Sequence, residues 1–430
     1  MKRLGMFLVV AGAIAFVYRE APGAYFFEDD FQWLVSRWSF HPAHLLDLRL
    51  FDHFYRPVIE MYFWLGLALF GGSPGLFHAA NLGLHAANVL VLFLLARKIS
   101  GSERYAFLSA LFFAVLPGYV EAIAWVSALA EPIAAFFGCL AIASWLTHRS
   151  TGATSARVWS VLLLLLALLT HESSVVFVPL LGLADLAFAD AGARVRSREG
   201  LAGLLRDYLP FLLVTAAYLA ADLWINSRSY LLAEGHYRFG PHAARNMLDY
   251  LASLYVGRRN PASFMGTTLV VTALLVLGTP RVRFATAWML LALLPFVFFT
   301  WTNTSRYQYL PAMGFSLLLA EGVEWLDPAL SRRLRREWRM AVVVLLVAAV
   351  TVRFMLFASK AVGDFAERTE VYREVGQTIR SQYREGSGCG EVRVDPAVVS
   401  RLGPAYVVAL ARWECRDPAV RIVADAGEVP

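Results

Sequence analysis

Lysine is nearly missing from this chain. Of its 39 basic residues, only Lys2, Lys98 and Lys360 are lysines and the rest are arginines. Such a bias accompanies GC-rich genomes and points to a bacterial source. Charge of either sign is scarce as well: 17% of the 430 residues are charged, while 58% are hydrophobic. Soluble domains carry about a quarter charged residues, so the composition, with a mean hydropathy of +0.54, excludes an ordinary soluble domain. Three cysteines are too few for a disulfide scaffold. Cys139 lies in an apolar block, whereas Cys389 and Cys415 lie in the polar tail, where a disulfide requires an oxidising compartment and suitable geometry. Period-two alternation is absent from the apolar blocks, which excludes a membrane barrel. No internal repeat or low-complexity segment is present, and the tail has no tetratricopeptide period. The net charge of +6 does not indicate a nucleic-acid partner, because the arginines gather at the ends of apolar blocks, where they set topology.

What the chain has in abundance is apolar blocks of helix-spanning length. They fall at 4–18, 78–96, 105–118, 126–146, 158–170, 174–190, 208–225, 265–279, 284–300, 311–326 and 340–357. Each approaches the length needed to cross about 30 Å of hydrocarbon, and in lipid a helix satisfies its own backbone. Met1-Lys2-Arg3 places the amino terminus in the cytoplasm. Ala13-Ile14-Ala15 resembles a cleavage site but lies inside the apolar core of the first block, which therefore reads as a retained helix. Counting from there, the inner connections hold Arg97, Lys98 and Arg104; Arg149 and Arg157; Arg194, Arg196, Arg198 and Arg206; Arg281 and Arg283; and Arg332, Arg333, Arg335, Arg336 and Arg339. The opposite connections at 118–125 and 171–173 contain no Arg or Lys. This asymmetry predicts about eleven spans. Residues 57–71 and 241–256, each carrying charge, are expected as interfacial helices on the outer face.

The expected architecture is thus an all-α polytopic membrane domain over 1–357, with long outer loops at 19–77 and 226–264 and a small extracytoplasmic tail over 358–430. Helix-like residues Val371–Arg384 and strand-like residues Glu391–Val394 and Ala419–Val423 give that tail an α/β character.

Candidate chemistry collects at the outer ends of the spans. Glu28-Asp29-Asp30 follows the first span between Tyr25-Phe26-Phe27 and Phe31, Trp33. Three adjacent carboxylates repel one another, which favours a use of that charge as a base, a metal ligand or a partner for a cation; a solvated loop is the simpler alternative. His78, Asn81, His85 and Asn88 fall on one stripe of the next span. Polar groups at that depth either face a cavity or bond neighbouring helices. Glu121, Glu131, His171, Glu172, Arg306, Tyr307 and Arg56 lie near the same membrane face. Arginine forks suit phosphate oxygens, and carboxylates suit deprotonation of a hydroxyl. Together they suggest a reaction on a phosphate-linked lipid.

The ordered set Asp29-Asp30; Tyr55-Arg56-Pro57; Phe77-His78 with Asn81 and His85; Pro117, Val120-Glu121-Ala122 and Ala124-Trp125-Val126-Ser127; His171-Glu172; and Arg306-Tyr307, Tyr309-Leu310-Pro311, Gly314-Phe315 resembles the GT-C class of membrane glycosyltransferases. Within that class it is most similar to the protein O-mannosyltransferase-like proteins that include the transmembrane, tetratricopeptide-containing family. The family usually carries Lys-Glu where this chain has His171-Glu172, and His-Pro where Leu116 precedes Pro117. The resemblance implies a GT-C-like helix bundle, a polyprenyl-phosphate sugar donor and an inverting transfer to a hydroxyl acceptor on protein, lipid or glycan. It implies Asp29 as the general base and Arg306 as the holder of the donor phosphate. Arg56 is expected to assist with the phosphate. Asp30, Glu121 and Glu172 are expected to hold the acceptor, orient Asp29 or bind a divalent ion; the sequence leaves metal dependence open. The expected setting is the bacterial inner membrane with the site facing outward. The rival expectation, a transporter or flippase of a lipid-linked sugar, would favour paired broken helices at midplane depth, and the chain shows no such two-fold pattern.

Overall fold

The computed structural model describes residues 2–51, 54–189, 197–227, 229–255, 257, 259–301, 304–382, 389–424 and 427–428. The chain is an all-α polytopic membrane protein with a small mixed cap. Its helices run α1 Lys2–Val17, α2 Asp29–Ser36, α3 Pro57–Phe70, α4 Pro74–Ser100, α5 Glu103–Val115, α6 Glu121–Ala124, α7 Ala130–Thr151, α8 Thr154–Leu168 and α9 Phe177–Phe188. They continue with α10 Arg198–Asn226, α11 Tyr230–Ala233, α12 His242–Tyr255, α13 Pro261–Leu277, α14 Pro280–Leu293, α15 Tyr309–Ser331, α16 Arg336–Gln382, α17 Pro396–Leu402 and α18 Pro404–Cys415.

Each of the eleven expected apolar blocks overlaps a helix, and both shorter segments, α3 and α12, are helical as well. Among the described residues, four helical stretches are long and apolar enough to cross a membrane by length and composition alone: Pro74–Ser100, Val126–Thr151, Arg198–Asn226 and Arg336–Gln382. Leucines and valines on α10, α13 and α16 remain exposed, Leu213, Leu269 and Leu345 being 60%, 64% and 68% accessible. In water they would form an aggregating apolar surface; in a bilayer they face lipid.

Local chemistry sets the boundaries. Gly101 and Gly152 close α4 and α7 in the left-handed conformation, at φ 68° and 72°. Arg97 and Lys98, and His148 and Arg149, occupy the preceding last turns, where cations complement exposed carbonyls. The block expected over 284–300 stops as a helix at Leu293, just ahead of Pro295, which has no N–H to donate to the helix. The final block departs in the other direction. Expected to end at 357, it continues unbroken to Gln382 and absorbs most of the separate tail helix expected over Val371–Arg384. At 47 residues, α16 is about 70 Å long.

The buried centre is formed by α4, α5, α7, α14 and α15. A Cβ on Gly138 of α7 would meet the Phe177 ring at 2.1 Å, so glycine is what allows that ring to seat. Trp288 is fully buried and its Nε1–H donates to the Leu310 carbonyl at 3.0 Å, tying α14 to α15.

In the cap, β1 Glu391–Arg393 pairs in parallel with β2 Arg421–Ala424, and β2 pairs antiparallel with β3 Gly427–Glu428. Both expected strands are therefore present. Cys389 and Cys415 form a disulfide, their Cα atoms 5.7 Å apart. It fastens the strand end of the cap to the end of α18.

Candidate active site

The acidic loop turns sharply into α2. Glu28 has φ 44° and ψ −111°, a conformation that strains any residue with a Cβ and persists only when its surroundings enforce it. Asp30 supplies much of that enforcement. It is fully buried. Its Oδ2 accepts from the Phe27 amide at 2.8 Å, and its Oδ1 accepts from the Ser127 amide at 2.7 Å and from the Ser127 hydroxyl. The Trp125 indole donates to the Phe27 carbonyl at 3.1 Å. Burial pushes the Asp30 carboxyl up to about 7 against these donated hydrogen bonds. Asp30 thus pins the loop to residues 125–127, and both of its oxygens are engaged. Of the roles expected of Asp30, this arrangement suits the orienting of Asp29.

Asp29, at the first turn of α2, is only partly buried. Burial raises its carboxyl, while Arg306, the Tyr406 hydroxyl and Arg56 pull the other way. Burial likewise raises Glu28, with Asp29 adding to the effect and Arg306 and Arg368 opposing it.

Arg306 comes from the connection between α14 and α15. Its guanidinium lies 4.8 Å from the Trp125 ring centroid and 5.0 Å from that of Tyr307, and it donates to the Tyr307 hydroxyl at 3.4 Å. Tyr307 stacks on Phe296 at 4.1 Å. Among the described residues, Arg306 has no carboxylate within ion-pair distance. Its acidic neighbours, Glu121 and Asp29, act at longer range. Glu121 is held by the Ser305 hydroxyl at 3.1 Å and by Arg368 at 3.8 Å.

Arg56 is placed differently from expectation. It forms a two-pronged pair with Glu172, Nε to Oε2 at 2.9 Å and Nη2 to Oε1 at 2.7 Å, and stacks 4.0 Å from the Phe54 ring centroid. Such a fork satisfies both partners and joins Arg56, expected at the donor phosphate, to Glu172, expected at the acceptor or a metal. Burial favours the neutral acid at Glu172, but Arg56 and His171 outweigh it and hold the carboxyl down at about 2. Burial, with Arg56 beside it, drives the His171 imidazole down to about 3, so it is neutral. His171 Nδ1 bonds the Ser173 hydroxyl at 2.8 Å, and its Nε2 lies 3.4 Å from buried Glu131.

The polar stripe of α4 is mostly architectural. His85 Nδ1 meets the Tyr309 hydroxyl at 3.0 Å, and Asn88 donates to the Pro132 carbonyl at 2.8 Å. Asn81 accepts from the Tyr62 hydroxyl at 3.0 Å and donates to the Ile123 carbonyl at 3.4 Å. Asn81 thus joins α4 to α3 and α6, His85 joins it to α15 and α5, and Asn88 joins it to α7. His78 is buried beneath the backbone of Ala24 and Tyr25, directly under the approach to the acidic loop.

Three site neighbours carried no signal in the sequence. Arg368 on α16 lies against Phe27 and Phe365, at 5.7 Å and 5.0 Å. Tyr372 packs on Phe27 and Phe31. Tyr406 on α18 reaches Asp29 from the cap. All come from the far end of the chain, and only the uninterrupted α16 brings them here. Among the described residues, no three His, Cys, Asp or Glu side chains gather to hold a metal ion.

No family model matches the chain. Part of it is 32% identical over 105 residues to protein O-mannosyl-transferase TMTC2 of Mus musculus, a match covering 24% of this chain and 13% of that relative. Among solved structures, ArnT from Cupriavidus metallidurans superposes with a TM-score of 0.55 at 12% identity, over 99% of this chain and 87% of that one. ArnT has also been solved bound to undecaprenyl phosphate, and in that form covers 97% of this chain and 86% of its own, with a TM-score of 0.54 at 13% identity. The Archaeoglobus fulgidus oligosaccharyltransferase gives 0.53 at 12% identity, over 89% and 58%. The fold is therefore that of the GT-C membrane transferases, and the resemblance to the O-mannosyl-transferases read from the motifs holds over a limited stretch.

Proposed function

We propose that this chain is a glycosyltransferase that moves a sugar from a polyprenyl-phosphate donor to a hydroxyl acceptor. The observation that carries this reading is the presence at one end of the bundle of a partly buried carboxylate, Asp29, and a guanidinium, Arg306, that among the described residues no carboxylate neutralises at close range. An anion left out of water is costly unless met by charge, and an arginine fork is shaped for phosphate oxygens. Asp29 accepts the acceptor hydroxyl proton as that oxygen attacks the anomeric carbon. The bond from that carbon to the phosphate oxygen breaks, configuration inverts, and the lipid phosphate leaves with its charge facing Arg306. Asp30 and Ser127 hold the loop, while the Arg56–Glu172 fork braces the neighbouring wall.

The likeness to ArnT, which binds undecaprenyl phosphate, supports the donor class. The disulfide in the cap supports an outward-facing cap, since disulfides persist in oxidising compartments. The setting that follows is a bacterial inner membrane with the site outside. Transfer of labelled sugar by purified protein in vesicles, with and without the lipid-linked donor, tests the reading. Translocation of intact donor without transfer would replace it by transport. Single cysteines at exposed Ser36 and Ser197 test orientation: only Ser36 is expected to react with an impermeant reagent from outside.

A further inference from the structure

We propose that the arginine-rich end of the bundle holds one anionic phospholipid, its phosphate at Arg336 and an acyl chain in the groove between α16 and the bundle. The proposal is independent of the reading of Asp29.

A groove of about 820 Å³ follows the first half of α16. Its walls come from four helices, with Ala13 of α1, Leu111 of α5, Val323 of α15 and Val347 of α16 among them. On α16 it begins at Arg336 and reaches Met355, roughly 28 Å farther along the helix. Beyond its mouth every lining residue except Thr351 is apolar. In the most apolar stretch of α16, 11% of the residues are buried within the protein. Groove walls with nothing packed against them forfeit dispersion contacts, and a hydrocarbon chain restores them.

The mouth says which lipid the groove takes. Asp327 is shared there by Arg104 at 2.5 Å and Arg339 at 3.0 Å, and Arg104 also reaches Glu324 at 3.5 Å. Those two cations and two carboxylates balance. Arg336 lines the same mouth and is exposed, and among the described residues no carboxylate lies within ion-pair distance of it. One positive charge is therefore left over. Arg332, Arg333 and Arg335 add to it from the preceding turn, and Glu337 opposes it. Trp325 and Trp338, both exposed, flank the mouth and mark the headgroup level. A chain lying in the groove brings its phosphate to the Arg336 fork, which suits phosphate oxygens. A zwitterionic headgroup would bring an ammonium among the same arginines, so the site favours net negative charge.

This occupant is distinct from the sugar donor. Arg306 lies just before α15 and Asp327 near its far end, about 27 Å along the helix from Tyr309. The lipid joins α16 to α1, α5 and α15 along the stretch where α16 has little protein contact, so its binding stabilises the fold.

Native mass spectrometry of the full chain with phosphatidylglycerol, phosphatidylcholine or undecaprenyl phosphate tests the site, beside melting in phosphatidylcholine bilayers with and without phosphatidylglycerol. Wild type is expected to retain one phosphatidylglycerol in preference to phosphatidylcholine and to melt roughly 3 °C higher with it. Arg336→Ala is expected to weaken that retention about tenfold. Arg332→Ala, the same loss of charge outside the groove, is expected to change it by less than about twofold. Ala348→Trp fills the groove and is expected to abolish both the retention and the rise in melting temperature. Equal retention of phosphatidylcholine, or an equal loss in Arg332→Ala and Arg336→Ala, overturns the proposal. Undecaprenyl phosphate that displaces phosphatidylglycerol from wild type, and is not retained by Ala348→Trp, replaces the phospholipid by a polyprenyl lipid. An Ala348→Trp variant that keeps the lipid but loses a dimer gives the groove to a second copy of the chain. If Ala348→Trp does not fold, the comparison of Arg336→Ala with Arg332→Ala decides.

Discussion

The two ends of the bundle use charge in opposite ways. At the arginine-rich end, cations are matched to carboxylates of the same chain: Arg149 meets Asp185 at 2.8 Å and Asp207 at 3.3 Å, Arg104 meets Asp327 at 2.5 Å, Arg339 meets Asp327 at 3.0 Å and Arg281 meets Glu321 at 3.3 Å. At the acidic end Arg56 pairs with Glu172, Arg37 with Glu60 and Arg380 with Glu414, but among the described residues Arg306 and Asp29 have no such close partner. Glu28 and Asp29 stand side by side at the start of a helix, one of them in strained backbone. Arg306 is held by aromatic rings. Matched charge stabilises and is finished; charge held in place but left unmatched can act on something that arrives. That contrast separates the architectural arginines from the one proposed to meet a ligand.

Substitutions across the two ends sharpen the contrast. The largest effect on transfer is expected at Asp29: Asp29→Asn keeps the shape, removes the base and lowers turnover by ~10²-fold or more. Arg306→Ala is expected to weaken donor binding and to lower transfer by roughly 10²-fold, with Arg306→Lys restoring part of it because charge returns without the planar fork. Donor affinity equal to wild type in Arg306→Ala would make Arg306 a helix-end anchor like those at the other end. Asp30→Asn is expected to be milder in transfer, ~10-fold, and to lower the melting temperature, because it weakens the bonds to Phe27 and Ser127 by about 1–3 kcal/mol; thermal unfolding monitored beside transfer separates the two. At the arginine-rich end, Arg149→Ala removes the cation shared by Asp185 and Asp207 and is expected to cost roughly 3 kcal/mol of stability, with the turnover of the folded fraction unchanged. Glu28→Gln is expected to have the smallest effect on transfer of the three acidic-loop variants. Transfer as a whole should rise with pH through the raised Asp29 value, since the base works only when ionised.

Much of this was legible in the chain before any coordinates. Helices follow from apolar blocks, and their ends from Gly101, Gly152 and the arginines beside them. The proximity of Asp29, Glu121 and Arg306 followed from topology, which places connections on a common face. What pattern could not show was pairing. Arg56 and Glu172 read as two independent site residues because nothing in sequence reveals that they fork each other across 116 positions. The role of Asp30 beside Asp29 was left among three alternatives because burial separates the two residues and sequence does not show it, adjacent residues on a helix turn pointing in different directions. The stripe His78, Asn81, His85 and Asn88 was readable as a stripe, but its partners Tyr309, Tyr62 and Pro132 lie on other helices. Tyr406 and Arg368 were out of reach because their position depends on α16 continuing past 357. Its hydropathy ends there while its backbone does not.

Single-turnover transfer from a labelled polyprenyl-phosphate sugar in vesicles, with donor occupancy measured in the same samples, bears most directly on the central claim. Wild type should transfer the sugar to a hydroxyl acceptor. Folded Asp29→Asn should bind the donor as well and transfer it at ~1% of the rate or less. Near-normal transfer by donor-loaded Asp29→Asn would contradict the account.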